Sequence, residues 1–376
     1  MISIEQIVKG HKTAESRWAR FGPYYAMFPL EFAFDVVDKY SNTGDYIIDP
    51  FAGRGSSIFA SSIRGRNALG IEINPVGWLY GYVKLSPSPK TEVLCRLQEI
   101  YNNRNQYETE IKDMHEFFRL CFCDEVLKFL LSARDHLDWR NTDIDKTLMA
   151  IILIHLHGKL GEGLSNQMKM TKAMGMNYSI QWWKAHNLAT PPEINPYHFI
   201  NKRIVWRYEK GVISKTGNCK MILGDSVEHI PSISRYNKHK YSLLFTSPPY
   251  CSITDYHADQ WLRLWLLGRV ASPISSKEKH KGRFANRQEY RNLLESVFSS
   301  CVIMMKENST VYVRTDSRQY TFETTCDVLK RYFPDYKMKI TDRPVTKRTQ
   351  TDVLGNTSSK KGEIDIVLTR GTMKLH

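Results

Sequence analysis

Short apolar runs, most of them ending on a turn signal, constrain the fold of this chain more than any other feature. They are Tyr46–Asp49, Ala68–Ile73, Lys220–Leu223, Tyr241–Thr246, Thr310–Arg314, Lys337–Thr341 and Glu363–Leu368. Continuous apolar runs of about four to eight residues fit strands buried on both faces. Helical patterns lie between most of them, as in Gln260–Leu267 and Tyr290–Met305. Strands alternating with helices predict a parallel α/β sheet. The last two runs are joined only by a polar stretch, 342–362, which suits an antiparallel pair. The pattern predicts seven strands with a hairpin at the end.

Between Ile73 and Lys220 the chain is far longer than a crossover connection needs. Residues 86–207 are mostly helical in pattern, and Thr190-Pro191-Pro192 and Asn195-Pro196 mark turns near their end. We read 86–207 as a helical insertion, and 1–85 with 208–376 as the sheet domain. The composition, 42% hydrophobic and 24% charged, is ordinary for a globular protein and excludes a collagen-like or disordered chain. The formal charge is +14, from 53 Lys+Arg against 39 Asp+Glu. Such an excess argues for an anionic partner, nucleic acid or an acidic surface. The best apolar run, Leu148–Leu156, is far short of the ~20 residues that span a bilayer. No membrane partner is expected. The seven cysteines are scattered with no C-x-x-C pair, and a reduced, cytoplasmic setting is the simplest reading. Cys121-x-Cys123 and His155-x-His157 lack a standard zinc spacing, so no metal is expected.

Three constellations carry chemistry. The first is Asp49-Pro50-Phe51-Ala52-Gly53-Arg54-Gly55-Ser56-Ser57, where a predicted strand opens into a predicted helix. Glycines there allow a tight turn and close backbone approach to a ligand. The second is Gly70-Ile71-Glu72-Ile73-Asn74-Pro75 at the end of the next strand. An acid at about this distance beyond a Gly-rich loop can hold ribose hydroxyls. The third is Thr246-Ser247-Pro248-Pro249-Tyr250 at the end of the fourth strand. Two prolines fix the backbone and remove two N–H donors. The carbonyls and the Ser247 hydroxyl can then accept from an amino group, and Tyr250 offers a flat face to a base. Each admits a plainer reading alone: an ordinary strand-to-helix turn, a solvated carboxylate, a rigid exit turn with a packed tyrosine.

In this order, on this strand pattern, the three together resemble the S-adenosylmethionine-dependent amino methyltransferases of DNA. The resemblance covers roughly 20–85 and 215–376 and implies a Rossmann-like seven-stranded methyltransferase sheet. It implies that the loop from Asp49 through Phe51, Gly53 and Gly55 holds the methionine end of the cofactor. Glu72 would hold its ribose and Asp225 its adenine. The segment Phe21–Pro29, with Tyr24 and Phe28, resembles the one that closes over the methionine. Ser247, Pro248, Pro249 and Tyr250 would orient the target amine and stack the flipped base. The serine resembles the cytosine-N4 branch, as do Thr254-Asp255-Tyr256 and Gln260–Gly268. The Gly-rich motif precedes the Pro-Pro-Tyr motif, an order that resembles some adenine-N6 enzymes. The adenine-N6 reading therefore stays open as the alternative.

The expected partner is double-stranded DNA, with a cognate restriction endonuclease as a possible second, since such enzymes usually serve restriction–modification systems. Two basic clusters suit phosphate contact: Lys277, Lys279, Lys281 and Arg283, followed by Arg287 and Arg291; then Arg343, Lys347 and Arg348, followed by Lys360 and Lys361. The insertion, with Ser165–Lys172 and Tyr178–Lys184, is the expected target-recognition element. Trp182 and Trp183 are expected in its core. An RNA base methyltransferase is a rival that the serine and Leu262–Gly268 argue against. A catalytically inactive nucleic-acid-binding protein is a rival of another class. A nuclease would need a carboxylate–lysine cluster that the strands do not offer.

Overall fold

The computed structural model describes residues 3–8, 10–23, 28–214, 216–251, 256–272, 286–343 and 362–370. Within them lie seven strands: β1 (Tyr46–Asp49), β2 (Asn67–Glu72), β3 (Cys219–Leu223), β4 (Tyr241–Thr246), β5 (Met305–Asp316), β6 (Lys337–Arg343) and β7 (Glu363–Thr369). They form one sheet in the order β3-β2-β1-β4-β5-β7-β6. The first five are parallel neighbours, and β7 runs antiparallel between β5 and β6. This is a Rossmann-like methyltransferase sheet, with the order reversing between β1 and β4. All seven predicted strands are present. β5 starts earlier than its apolar run because the helix Arg287–Met304 feeds directly into it, next to a register shift against β4.

The sheet is covered on both faces because its strands are apolar on both. On one face Ile48, Leu244, Val311 and Val313 meet Leu294, Val297 and Phe298 of the helix Arg287–Met304 and Val328 and Leu329 of the helix Gln319–Tyr332. Each such side chain contributes about 1.5–3 kcal/mol on burial. On the other face the helix Leu30–Tyr40 brings Phe32 edge-on to Phe245 of β4 and inclined to Tyr312 of β5.

The chain divides into two compact units. One comprises 27–74, 214–254 and 277–376 and contains the whole sheet. The other comprises 1–26, 75–213 and 255–276. It takes in the stretch read as an insertion and adds the N-terminal residues and the helix Tyr256–Leu266. It is helical, with Leu97, Ile100, Leu127, Leu130, Ile151 and Ile204 buried at its centre. The apolar run Leu148–Leu156 lies mostly in its buried helix Asp143–His155. Among the described residues no helix is long and apolar enough to cross a membrane.

Candidate functional site

The site is built at the carboxyl edge of the parallel strands, where ligands of open α/β sheets bind. β1 ends on Asp49, which is 1% exposed. Its carboxylate accepts from Thr246 Oγ1 at 2.6 Å, from Phe51 N at 3.1 Å and from Ser57 Oγ. These bonds tie the ends of β1 and β4 to the helix Ser56–Ile63. Burial pushes the Asp49 carboxyl up to about 6, against the three bonds that favour its ionised form.

The loop that follows turns through left-handed glycines, Gly53 at φ 53° and Gly55 at φ 72°. Any residue with a Cβ would be strained there. Gly55 stands at the N-cap of the helix Ser56–Ile63 and contributes no capping side chain. Its own N–H closes the turn onto Ala52 O at 2.8 Å. Gly70 on β2 lets this loop settle on the sheet. A Cβ there would come within 2.6 Å of Met221 Sδ and 2.9 Å of Ala52 Cβ.

Glu72 ends β2. Its carboxylate accepts from Gly53 N at 2.7 Å and from Asn74 N at 2.8 Å, so it links the Gly-rich loop to its own turn. Burial raises it to about 7, the two N–H groups opposing and nearby Asp49 adding to the rise. Its main-chain oxygen accepts from Gly224 N at 3.0 Å, so the turn after β3 lies beside it. In that turn Asp225 caps the helix Ser226–Tyr236 by accepting from Val227 N at 3.0 Å. Ser226 Oγ donates to Pro50 O, which closes the rim between β3 and β1. A buried acid held by backbone N–H groups beside two left-handed glycines suits a nucleoside diol and an extended polar chain. A carboxylate keeps acceptor positions after two such bonds. These residues fit S-adenosylmethionine.

β4 ends on the fully buried Thr246, and Ser247-Pro248-Pro249-Tyr250 leaves it next to the Gly-rich loop. The prolines are buried, and Ser247 and Tyr250 are half-buried. The Tyr250 hydroxyl is hydrogen-bonded to Ser247. Burial, then Glu363, pushes the Tyr250 hydroxyl well above its ordinary value. Cys251 is packed into the apolar core. Phe28 stacks on Phe245 with ring centroids 4.7 Å apart and planes at 10°.

Sequence reasoning missed an ionic cluster beside Tyr250. Arg314 of β5 forks onto Asp365 of β7 at 2.7 and 3.0 Å, reaches Glu363 at 3.2 Å, and lies 3.4 Å over the ring of Phe32. Asp316 at the end of β5 accepts from Arg318 at 2.7 Å. The available signal was charge inside apolar strands, in Val311–Asp316 and Glu363–Leu368. Buried charges are rarely tolerated unless paired.

Tyr24, Lys277, Lys279, Lys281, Arg283, Lys347, Arg348, Lys360 and Lys361 lie outside the described residues, and only the backbone of Arg343 is described, as the last residue of β6. Arg291 is engaged by Asp327 at 3.2 Å, and Arg287 lies 4.7 Å over the Tyr320 ring. Both arginines have partners within the protein. Trp183 is buried, as expected. Trp182 is instead half-exposed and stacks on His186 at 4.1 Å.

Comparison with known proteins bears on this geometry. Residues 2–76 match the family model N6_N4_Mtase, described as DNA methylase. That span holds the Gly-rich loop and Glu72. The chain is 31% identical over 118 residues to the Type II methyltransferase M.MthZI of Methanothermobacter thermautotrophicus, covering 31% of this chain and 30% of that protein. It is 29% identical over 91 residues to the Type II methyltransferase M.MjaII of Methanocaldococcus jannaschii, covering 24% of this chain and 17% of that one. The matched segments thus span under a third of either relative. Among solved structures, the rRNA methyltransferase aviRa of Streptomyces viridochromogenes aligns over 98% of this chain and 94% of its own at 10% identity, with a TM-score of 0.35. A likeness that low adds nothing to the sheet order. Sheet and site define a protein with the methyltransferase fold. Within that class, residues 2–76 are similar to the family described as DNA methylase, and two short stretches are similar to Type II methyltransferases.

Proposed function

We propose that the protein is a site-specific DNA methyltransferase that transfers a methyl group from S-adenosylmethionine to the exocyclic N4 amine of a flipped-out cytosine in duplex DNA. The observation that carries this reading is Ser247-Pro248-Pro249-Tyr250 at the end of β4, beside the Gly-rich loop and with the Ser247 and Tyr250 hydroxyls bonded. S-adenosylmethionine, when bound, supplies an electrophilic sulfonium methyl. Phe51, Gly53 and Gly55 would hold its methionine end, Glu72 its ribose and Asp225 its adenine.

The amine of cytosine is conjugated with its ring and is a poor nucleophile. It must pyramidalise before it attacks. A serine hydroxyl has one donor and two acceptor positions. If Ser247 gives its proton to Tyr250, both acceptor positions remain for an amine N–H. The Pro248 carbonyl can take the second. Together they would turn the nitrogen lone pair toward the methyl, which is catalysis by orientation and preorganised dipoles. A base inside the duplex is out of reach, so it must leave the stack, and the Tyr250 ring is its platform. The buried Cys251 takes no part.

A second reading, methylation of adenine N6, is favoured by one observation: the Gly-rich loop precedes the Pro-Pro-Tyr motif in the chain. Nucleoside mass spectrometry of plasmid DNA from a methylation-free host expressing this chain separates the two. We expect N4-methylcytosine. N6-methyladenine would keep the site and change the base; the absence of both would remove the proposal. Ser247→Ala is expected to lower turnover by at least about a hundredfold, the scale of one transition-state donor or acceptor, while cofactor affinity stays. The Type II names of the relatives suggest a restriction–modification setting, with a cognate endonuclease recognising the same sequence.

A further inference from the structure

We propose that the irregular strap from Gly158 to Gly175, with the outward face of the helix Met176–Ala185, is the surface that reads base edges in duplex DNA. This rests on the DNA methyltransferase reading and names the part of the chain that would give it sequence preference.

The strap contains neither helix nor strand beyond a single bridge between Gly158 and Gln167. Segments this long without regular structure are uncommon in compact domains and usually serve function. This one is held by its main chain. Three side chains of the helix Tyr256–Leu266 reach it: Arg263 Nη2 donates to Met170 O at 2.6 Å, Gln260 Nε2 to Thr171 O at 3.3 Å and Trp261 Nε1 to Met174 O at 3.1 Å. From the other end Trp183 Nε1 donates to Gln167 O at 2.8 Å. His157 Nδ1 lies 2.7 Å from Lys169 O. Gly163 packs so closely that a Cβ would come within 2.8 Å of Gly158 N.

Arg263 is fully buried, and its guanidinium also donates to Leu153 O at 2.9 Å and Gln260 Oε1 at 2.8 Å. A buried cation is a costly way to fill space, since apolar residues of similar volume often do as well. What a fork of donors provides is one fixed backbone path. A rigid backbone displaying side chains is what base readout needs.

The side chains displayed suit DNA. Lys169, Met170, Thr171 and Lys172 are half-exposed, although Lys172 is paired with Asp259 at 2.5 Å. On the helix, Ser179, Ile180 and Trp183 are buried while Asn177, Tyr178 and Gln181 are exposed. Asn and Gln make paired hydrogen bonds to adenine edges, Lys binds guanine edges or phosphate, and a helix fits the major groove. Between His157 and His186 there are four lysines, Lys159, Lys169, Lys172 and Lys184, against one acid, Glu162. Glu116 holds Lys184 at 2.7 Å, as Asp259 holds Lys172, so the charge that complements a polyanion is that of Lys159 and Lys169.

The test uses the full chain with Lys169→Ala, Asn177→Ala and Gln181→Ala. Three quantities are read: the sequences methylated in the host genome, affinity for a pool of random-sequence duplexes, and affinity for S-adenosylmethionine. We expect at least one variant to relax or change the methylated sequence, or to weaken duplex binding about tenfold, with cofactor affinity unchanged. Unaltered sequence preference and duplex affinity in all three would overturn the inference while leaving the reaction standing. Should the wild type methylate no DNA but bind duplexes that the variants bind less well, the reaction falls and the surface stands. Should it neither methylate nor bind duplexes, both fall.

Discussion

Glu72 joins the chemistry of the site to the stability of the fold. Burial raises its carboxyl to about 7 from an ordinary 4.5. The folded protein therefore holds a proton that the unfolded chain has released between those two values. Stability falls as pH rises through that window and levels above about 7. The shift corresponds to a loss on the order of 3 kcal/mol. Asp49 adds a slope of the same sign up to about 6, so the comparison must be between proteins that both retain it. Glu72→Gln should flatten the part of the pH–stability curve due to Glu72, as read by denaturant unfolding at pH 4.5 to 8. A bound ribose has the opposite demand, because its hydroxyls donate to an ionised carboxylate. Cofactor affinity should rise from pH 6 to 8 in the wild type. In Glu72→Gln it should be weaker and insensitive to pH. Equal affinity of the two proteins at pH 8 would remove Glu72 from the ribose site.

At the scale of elements, the local features were legible in the sequence and the long-range ones were not. The first four strands could be read because β1, β2, β3 and β4 are short apolar runs that end on Gly, Asp or Pro turns. The Gly-rich loop could be read because two left-handed glycines leave a mark that other residues cannot imitate. The pairing of Arg314 with Asp365 was hidden because it depends on which strand β7 joins. Arg263 was hidden for a similar reason. In a run such as Trp261–Leu267 a single arginine reads as the polar face of an amphipathic helix, yet it is fully buried against the strap. Its role can be tested as an element property. Arg263→Lys keeps the charge and loses the fork, so the main chain from Lys169 to Met174 should lose protection from amide hydrogen exchange by about tenfold or more, the scale of one hydrogen bond to a charged group. Protection elsewhere in the helical unit should stay within about threefold. A uniform loss throughout that unit would mean that Arg263 supports the core and not the strap.

The charge of the whole molecule separates its two proposed ligands. A formal +14 spread over 376 residues predicts that a polyanion is attracted by displacement of its counterions. Even four phosphate contacts imply that duplex affinity falls about a hundredfold between 50 and 200 mM salt. The proposed cofactor contacts behave differently. Gly53 and Gly55 would meet the cofactor through the backbone, and Glu72 and Asp225 are buried within the sheet unit. Buried charges are screened far less than exposed ones. Affinity for S-adenosylmethionine should therefore change by less than about threefold over the same range. Fluorescence anisotropy for the duplex and calorimetry for the cofactor, run on one preparation, measure both. A duplex affinity as flat as that of the cofactor would mean that the basic excess does not face DNA. It would also leave the lysines of the strap without the electrostatic part of their role, so the salt slope tests at the scale of the molecule what Lys169→Ala tests at a single side chain.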